Sequence, residues 1–331
     1  MKAILSDHAG GPETLRLTEI DDPVAGEGEL LVRVAACAIN YPDVLIIEDR
    51  YQFKPARPFA PGCEVAGMVE AVGDGVEDWQ PGDRVIATLP NGGLAEKCVV
   101  KASDSFLLPR DRSFAEGSGL ILTYATSLHA LADRGRLKEG ETLLVLGAAG
   151  GVGLAAVEIG RAMGARVVAA VSSAEKAEAA RRAGAEHTLV YGRAPFDRDQ
   201  SRGLAAAFKE AVGESGADVI YDPVGGDYVE PALRSIAWGG RYLVIGFPAG
   251  IHHLPMNLPL LKGCDICGVF WGSFAGREPE ANRRHIDTLM QWWGEGRINP
   301  LVSRRWPLEE ADRAIAAMAD RQAIGKLVVT I

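Results

Sequence analysis

Two features missing from the sequence narrow the classes of protein to which it can belong. No uninterrupted apolar run is long enough to span a bilayer or to serve as a signal peptide. No dense basic run is present either, and 35 Lys and Arg against 44 Asp and Glu give a net charge of -9, which repels a phosphate backbone. We therefore expect a cytoplasmic protein whose main partner is neither a membrane nor a nucleic acid.

Cysteine is also scarce, and its number is odd. The five cysteines lack the spacing of a disulfide framework, which favours a reducing compartment where thiols stay free. Cys264 and Cys267, in "CDIC", have the spacing of a metal or redox motif, but no second pair accompanies them. We expect both to be buried strand residues without a function.

The length and the hydrophobic pattern predict two kinds of structure in one chain. At 331 residues the chain fits two domains of ordinary size. Short β-like runs separated by Gly and Pro fill residues 1 to about 112, which predicts a barrel or a sandwich. From about 137 to 245, strands alternate with Ala-rich helices, which predicts a parallel sheet covered by helices on both faces. The pattern of the tail, from about 299 to 331, does not say which domain it joins.

A run of small residues, "GAAGGVG", follows an apolar strand and precedes a helix. A dinucleotide's pyrophosphate needs free N–H groups at a helix N-terminus and no side chain where it must come close. The spacing departs from the common G-x-G-x-x-G, so a Gly-rich turn packed for steric reasons is the alternative. We predict a dinucleotide site, with these residues at the phosphates: Gly147, Ala149, Gly150, Gly151, Val152 and Gly153.

The next strand ends in "AAVSSAEK", and this end bears on which dinucleotide binds. An NAD site places a carboxylate about 20 residues past the glycines to hold the ribose hydroxyls, and none is present there. The hydroxyls of Ser172 and Ser173 with the cation of Lys176 would accept a 2′-phosphate, which favours NADPH over NADH. Ser173 could instead cap a helix with Lys176 as a solvated residue, and the two roles are compatible.

Seven segments along the chain resemble the zinc-independent quinone oxidoreductase family of the medium-chain dehydrogenase/reductase superfamily, in that family's order. They are "GGPETLRL", "AINYPDVLI", "YQFKPARPFAPGCEVAGMVEAVG", "GDRV", "GAAGGVG", "YDPVGG" and "IGKLVV". The resemblance implies an α/β protein with a GroES-like β-barrel catalytic domain over residues 1–122 and 299–331. A Rossmann domain, a doubly wound parallel sheet that binds NADPH, would occupy residues 123–298. The tail would then return to the barrel.

The same resemblance implies an enzyme without metal. In zinc-dependent members of the superfamily the catalytic metal is held at the positions of Asn40 and Cys63, and neither Asn nor a lone Cys makes a three-ligand zinc site. The four-Cys lobe of structural zinc is absent between Val85 and Val99. Without a Lewis acid, alcohol oxidation is disfavoured, whereas hydride addition to a quinone or enone remains feasible.

Individual roles also follow from the resemblance. Asn40 and Thr126 would orient the substrate or the nicotinamide, although Asn40 could simply close a turn before Pro42 and Thr126 could bond its own helix backbone. The cofactor contacts implied are Asn40, Thr126, Lys176, Tyr191, Gly246, Phe247, Phe270, Arg321 and Lys326. The two phenylalanines follow strands whose carboxyl ends point at the cofactor, but they could instead belong to the core.

Tyr51 and the "CDICGVFWG" segment carry two further expectations. A tyrosine at the place of Tyr51 acts in related 2-enoyl thioester reductases as a proton donor or substrate orienter. The alternative is that Tyr51 simply anchors its loop. The family pairs edge strands between subunits at "CDICGVFWG", which implies a homodimer.

The function that these features predict is NADPH-dependent transfer of hydride to a quinone or another α,β-unsaturated carbonyl compound. Reduction of enoyl thioesters, with enoyl-CoA or an acyl carrier as substrate, is one alternative. An NADPH-binding protein with little turnover is another.

Overall fold

Residues 1–331, the whole chain, are described by the computed structural model. They fall into two units, one of residues 1–122 with 300–331 and the other of residues 123–299. The strands are β1 (Lys2–Leu5), β2 (Arg16–Glu19), β3 (Glu29–Ile39), β4 (Glu64–Val72), β5 (Arg84–Thr88), β6 (Lys97–Lys101), β7 (Ser105–Leu107), β8 (Thr142–Leu146), β9 (Arg166–Val171), β10 (His187–Val190), β11 (Ala217–Asp222), β12 (Ile236–Val244), β13 (Asp265–Gly268), β14 (Val302–Pro307) and β15 (Lys326–Thr330).

The helices are α1 (Tyr41–Ile47), α2 (Phe114–Ser118), α3 (Ile121–Leu128), α4 (Gly151–Ala162), α5 (Ala174–Ala183), α6 (Arg198–Val212), α7 (Val229–Leu233), α8 (Asn257–Lys262), α9 (Trp271–Arg277), α10 (Pro279–Gly294) and α11 (Ala311–Ala319). None of them combines the length and the apolar character that crossing a bilayer requires.

The first unit is a mostly antiparallel sheet, as the alternating β-like runs predict. Its strand order is β14-β15-β3-β4-β5-β7, with β6 added against β3, and β1 and β2 form a separate pair. The last strand of the chain lies beside β3, with Leu327 opposite Ile39. The tail therefore pairs with the first unit.

The second unit is a parallel six-stranded sheet in the order β10-β9-β8-β11-β12-β13. The order reverses between β8 and β11, and ligands of such sheets bind outside the carboxyl ends of the strands at this reversal. Leu143 to Leu146 of β8 are all fully buried, because helices cover both faces of a parallel sheet and leave no strand residue for solvent. The predicted doubly wound sheet is confirmed, and the glycine run follows the strand at its switch point.

The prediction that Cys264 and Cys267 are buried was wrong, because both thiols are only half-buried. Cys267 lies in β13, the last strand of the sheet, which pairs with β12 alone. A strand that has one neighbour keeps one side open to solvent, and the apolar run around "CDIC" could not show which strand is last.

Glu158 is a buried carboxylate of α4 that should make stability depend on pH. Its Oε2 accepts hydrogen bonds from the Tyr124 hydroxyl (2.8 Å) and the Asn299 N–H (2.7 Å), and burial raises its pKa from 4.5 to about 7. Because the folded state holds this proton more tightly, the contribution of Glu158 to the free energy of unfolding is fully present below about pH 4.5. It is lost as the pH rises to about 7.

Glu158→Gln keeps an acceptor oxygen but cannot ionise. We expect this variant to be more stable than the wild type at pH 8, by roughly 1–3 kcal/mol, and nearly equal to it at acidic pH. Urea unfolding at about pH 5 and pH 8 measures the difference. Glu210→Gln, an exposed change on α6, is the control, and an equal gain at both pH values would contradict the role of ionisation.

Candidate active site

The glycine run forms the turn between β8 and α4, and its glycines serve different purposes. A Cβ on Gly153 would lie 2.3 Å from the Gly147 carbonyl oxygen and 2.8 Å from the Ala148 backbone, so this position needs glycine for close packing alone. Gly147 has φ +55°, a conformation that favours glycine. A Cβ on Gly150 would meet only the Gly147 oxygen, at 3.6 Å. The protein itself leaves room at Gly150, which fits a bound group close to the backbone.

The N-terminus of α4 opens onto this room. Gly150 is its N-cap and no side chain caps the helix there, so the first-turn N–H groups of Gly151, Val152 and Gly153 have no partner in the helix. Ala149, by contrast, is 1% exposed and packs into the core. An anion-binding end without a capping side chain suits a pyrophosphate.

Tyr191, at the end of β10, reaches the same turn. Its hydroxyl accepts the Gly147 N–H at 3.2 Å, and its side chain is buried. The structure thus gives Tyr191 a role in fixing the glycine run, whereas its predicted contact with the adenosine part of the cofactor stays a prediction.

The end of β9 carries the predicted 2′-phosphate site. Ser173 caps α5 by accepting the Lys176 N–H at 3.2 Å, which confirms the predicted cap, and the Lys176 ammonium lies 3.4 Å from the Ser172 hydroxyl. Burial, and then the nearby charge of Arg193, lower the pKa of Lys176. Arg193 was missed by the sequence analysis, and the signal that could have found it is its place just after β10.

Three predicted residues follow the carboxyl ends of β12 and β13. Gly246 and Phe247 come after β12, and Phe270 comes after β13. They lie at the carboxyl edge of the parallel sheet, where the glycine run follows β8. Phe247 is 47% exposed and Phe270 is 56% exposed, so neither belongs to the core. Exposed aromatic rings at this edge are available to a ligand, although contact with a cofactor stays a prediction.

Asp222, at the end of β11, is a site feature that the sequence analysis did not single out. Its carboxylate accepts the N–H groups of Val224 and Gly225 and the hydroxyl of Tyr242. It therefore fixes the turn at the switch point. An Asp followed by Pro and two glycines, in "YDPVGG", is the signal for such a turn.

Thr126 lies in the second unit on α3, half-buried. The neighbouring Ser127 donates to the Thr123 carbonyl oxygen, the bond that was the alternative for Thr126. No such backbone bond is seen for Thr126, and its role at the nicotinamide stays a prediction.

Asn40 and Lys326 meet in a buried polar cluster of the first unit, although 285 residues separate them in the sequence. The Lys326 ammonium donates to Asn40 Oδ1 at 2.6 Å and to Glu64 Oε2 at 3.1 Å. Asn40 Nδ2 donates to the Ala38 carbonyl and to Glu64 Oε2, and Glu64 Oε1 accepts the Leu122 N–H. Both ends of the Asn40 amide are thus held by the protein, and Lys326 is 2% exposed.

These contacts change what the two residues are expected to do. Asn40 is the N-cap of α1, and its backbone N–H and carbonyl oxygen both bond to Asp43, whereas its side chain faces Lys326 and Glu64. Lys326 was predicted as a direct contact of the cofactor, but its ammonium is placed to hold Asn40 and Glu64. Direct contact stays a prediction that this geometry does not favour.

Asp43, Cys63 and Tyr51 lie near Asn40, whose Nδ2 is 3.8 Å from the Cys63 Sγ. The Asp43 carboxylate accepts the N–H groups of Asn40 (2.8 Å) and Gly62 (3.1 Å), and burial raises its pKa to about 6. Burial, with the charges of Cys63 and Asp43 nearby, raises the pKa of Tyr51 as well. The Tyr51 phenol also packs on the core of the first unit, as an anchor would. At neutral pH it therefore keeps its proton.

Arg321 lies outside this cluster. It is exposed, in the turn between α11 and β15, and has φ +57°. Its contact with a cofactor also stays a prediction.

Two family models match the chain. Residues 26–126 match the alcohol dehydrogenase GroES-like domain, and residues 151–288 match the zinc-binding dehydrogenase model. The first lies within the first unit apart from its last four residues, and the second lies wholly within the second unit. The predicted pairing of a GroES-like β-barrel domain with a Rossmann sheet is confirmed.

Proteins of known name and structure are similar over nearly the whole chain. Quinone oxidoreductase-like protein 2 of Bos taurus is 35% identical over 92% of this chain and 85% of its own length. A mycobacterial structure complexed with NADPH, of the protein Rv1454c, has a TM-score of 0.92 and 30% identity, with all of both chains covered. Escherichia coli quinone oxidoreductase complexed with NADPH has a TM-score of 0.91 and 27% identity, again over all of both chains. The chain therefore belongs to the quinone oxidoreductase family of the medium-chain dehydrogenase/reductase superfamily.

Proposed function

We propose that the protein is an NADPH-dependent reductase that passes hydride to a quinone or another α,β-unsaturated carbonyl compound. The observation that carries the proposal is the uncapped N-terminus of α4, with open space at Gly150, at the switch point of the sheet. The NADPH complexes of two structures that are similar over the whole chain support it.

The residues of the second unit divide the binding of NADPH between them. The N–H groups of Gly151, Val152 and Gly153 would bind the pyrophosphate, and Lys176 with the serine hydroxyls beside it would bind the 2′-phosphate. NADPH supplies the hydride when bound, and the protein contributes orientation and exclusion of water. We accordingly propose residues 123–299 as the cofactor-binding domain and the other unit as the catalytic domain.

Tyr51 is our candidate for the proton that must follow the hydride. Its raised pKa keeps the phenol protonated at neutral pH, which a general acid requires. A Tyr51→Phe enzyme with the turnover of the wild type would leave Tyr51 as a loop anchor only.

We also propose that the reaction needs no metal. At the positions where the superfamily's zinc enzymes hold their metal, this chain has an amide, Asn40, and a thiol, Cys63, and the Lys326 ammonium lies 2.6 Å from Asn40 Oδ1. A cation is already present among these donors, and its charge would repel a second one. The donor set therefore does not fit zinc.

The experiment that tests the proposal follows NADPH oxidation with a panel of quinones, enones and enoyl-CoA esters, with and without a metal chelator. We expect turnover with a quinone or an enone that the chelator does not reduce. Turnover with enoyl-CoA esters alone would favour the thioester reductase, and tight NADPH binding without turnover would favour a binding protein. Chelator-sensitive oxidation of simple alcohols would overturn the proposal.

A homodimer is our proposal for the assembly. β13 is an edge strand with one unpaired side, and its Ile266 side chain is 40% exposed. Open strand edges with apolar side chains pair readily with a second copy. Sedimentation analysis that gives the 35.2 kDa of one chain at micromolar concentration would contradict the dimer.

A further inference from the structure

The loop after β10 presents Arg193 from a fixed backbone. The Tyr228 hydroxyl accepts the Ala194 N–H at 3.0 Å and donates to the Gly192 carbonyl oxygen at 3.2 Å, so one side chain holds both neighbours of Arg193. Further along, the Asp227 carboxylate accepts the Phe196 N–H at 3.2 Å. An exposed arginine on an anchored loop loses less backbone freedom on binding than one on a free loop.

The register of the sheet brings this loop to the end of β9. Val190 of β10 lies opposite Val171 of β9 in parallel register, and the Tyr191 N–H donates to the Val171 carbonyl at 2.8 Å. The two strands thus end at the same edge of the sheet. The chain continues into Ser172 after β9 and into the loop of Arg193 after β10. Burial is the largest cause of the lowered pKa of Lys176, and the positive charge of Arg193 is the second.

The Arg193 guanidinium has no acidic partner, unlike two arginines of α5. On α5, Arg181 and Arg182 both pair with Glu178, at 3.2 Å each. No ion pair or side-chain hydrogen bond joins Arg193 to any other residue of the chain. Two cations, Arg193 and Lys176, therefore repel each other at this edge, and an anion bound between them would relieve that repulsion.

We propose that Arg193 is the second cation of a clamp, with Lys176, for the phosphate monoester on the adenosine ribose of NADPH. The planar fork of a guanidinium matches the oxygens of a phosphate, and it stays charged at every physiological pH. Arg193 is thus a residue that sets the discrimination between NADPH and NADH. This inference rests on the proposed function, because it names a ligand group of the same site.

The test compares the dissociation constants of NADPH and NADH for the wild type and for Arg193→Ala. We expect Arg193→Ala to weaken NADPH binding about tenfold or more and to change NADH binding less than about twofold. Arg193→Lys should fall between the two, and the NADPH affinity of Arg193→Ala should depend less on salt. Arg182→Ala, which removes a cation at the other end of α5, is the control and should leave the ratio unchanged.

A double variant asks whether both cations bind one group. If Lys176 and Arg193 share the phosphate, Lys176→Ala with Arg193→Ala should lose less NADPH affinity than the product of the two single losses. Strictly multiplicative losses would contradict a shared phosphate.

The outcomes separate this inference from the proposed function. A wild-type protein that binds NADH as tightly as NADPH overturns both. If the wild type prefers NADPH and Arg193→Ala keeps the whole preference, the clamp is overturned. The proposed NADPH-dependent function is then unaffected. Equal weakening of both dinucleotides would make Arg193 a structural residue of its loop and would also overturn the clamp.

Discussion

Gly153→Ala should destabilise the second unit and abolish measurable NADPH binding. The added Cβ would lie 2.3 Å from the Gly147 oxygen and 2.8 Å from Ala148, and these are backbone atoms that cannot turn away. The turn and α4 must therefore move apart, at a cost of about 3 kcal/mol, the upper part of the range for overpacking. Denaturant unfolding and calorimetric titration with NADPH measure the two effects.

Gly150→Ala is the matched control for this prediction, because it adds the same methyl group three residues earlier. Its Cβ would meet one atom at an ordinary 3.6 Å, and Gly150 has φ -72°, which alanine adopts freely. We expect stability within about 1 kcal/mol of the wild type but NADPH binding at least about tenfold weaker, since the methyl group enters the space proposed for the pyrophosphate. Wild-type NADPH affinity in Gly150→Ala would show that the phosphate does not approach the backbone there.

Lys326→Met should strongly lower the stability of the protein, which is the second large effect that we expect. The change removes the ammonium that pairs with Glu64, a carboxylate with 0% exposure, at 3.1 Å. Removing one partner of a buried ion pair leaves an uncompensated charge and costs about 3–5 kcal/mol. Urea unfolding at neutral pH measures the loss.

A double variant distinguishes the loss of charge balance from the loss of packing. Lys326→Met combined with Glu64→Gln removes both charges, so it should recover a large part of the stability lost in the single variant. A double variant as unstable as Lys326→Met would assign the cost to packing. A single variant within about 1 kcal/mol of the wild type would show that Glu64 does not depend on Lys326.

The glycine turn before α4 could be predicted from the sequence because local spacing controls it. A strand, four glycines and a helix lie within about 20 residues, and the cap of Ser173 on Lys176 spans three residues. Contacts at such short sequence separation depend on the local backbone conformation, which the residues of the turn themselves determine. The sequence also carried the alternation of strands and helices, from which the parallel sheet follows.

The composition of the buried cluster around Asn40 could not be predicted in this way. Lys326 reaches Asn40 from a strand near the other end of the chain, and only the pairing of β15 with β3 brings them together. The resemblance places the tail in the barrel, but nothing in the sequence near either residue indicates which strand β15 lies beside. The consequence for function is that both ends of the Asn40 amide are occupied by the protein.

The sequence by itself determined the family, the two kinds of domain and the glycine turn. Only the tertiary structure decided that the charge of Arg193 acts on Lys176, that Lys326 is buried against Glu64, and that Cys267 lies on an edge strand. The physical reason is that strand order and register set these placements, and both arise from the packing of whole elements. The residues next to a given residue in the sequence do not determine which strand will pair with its own.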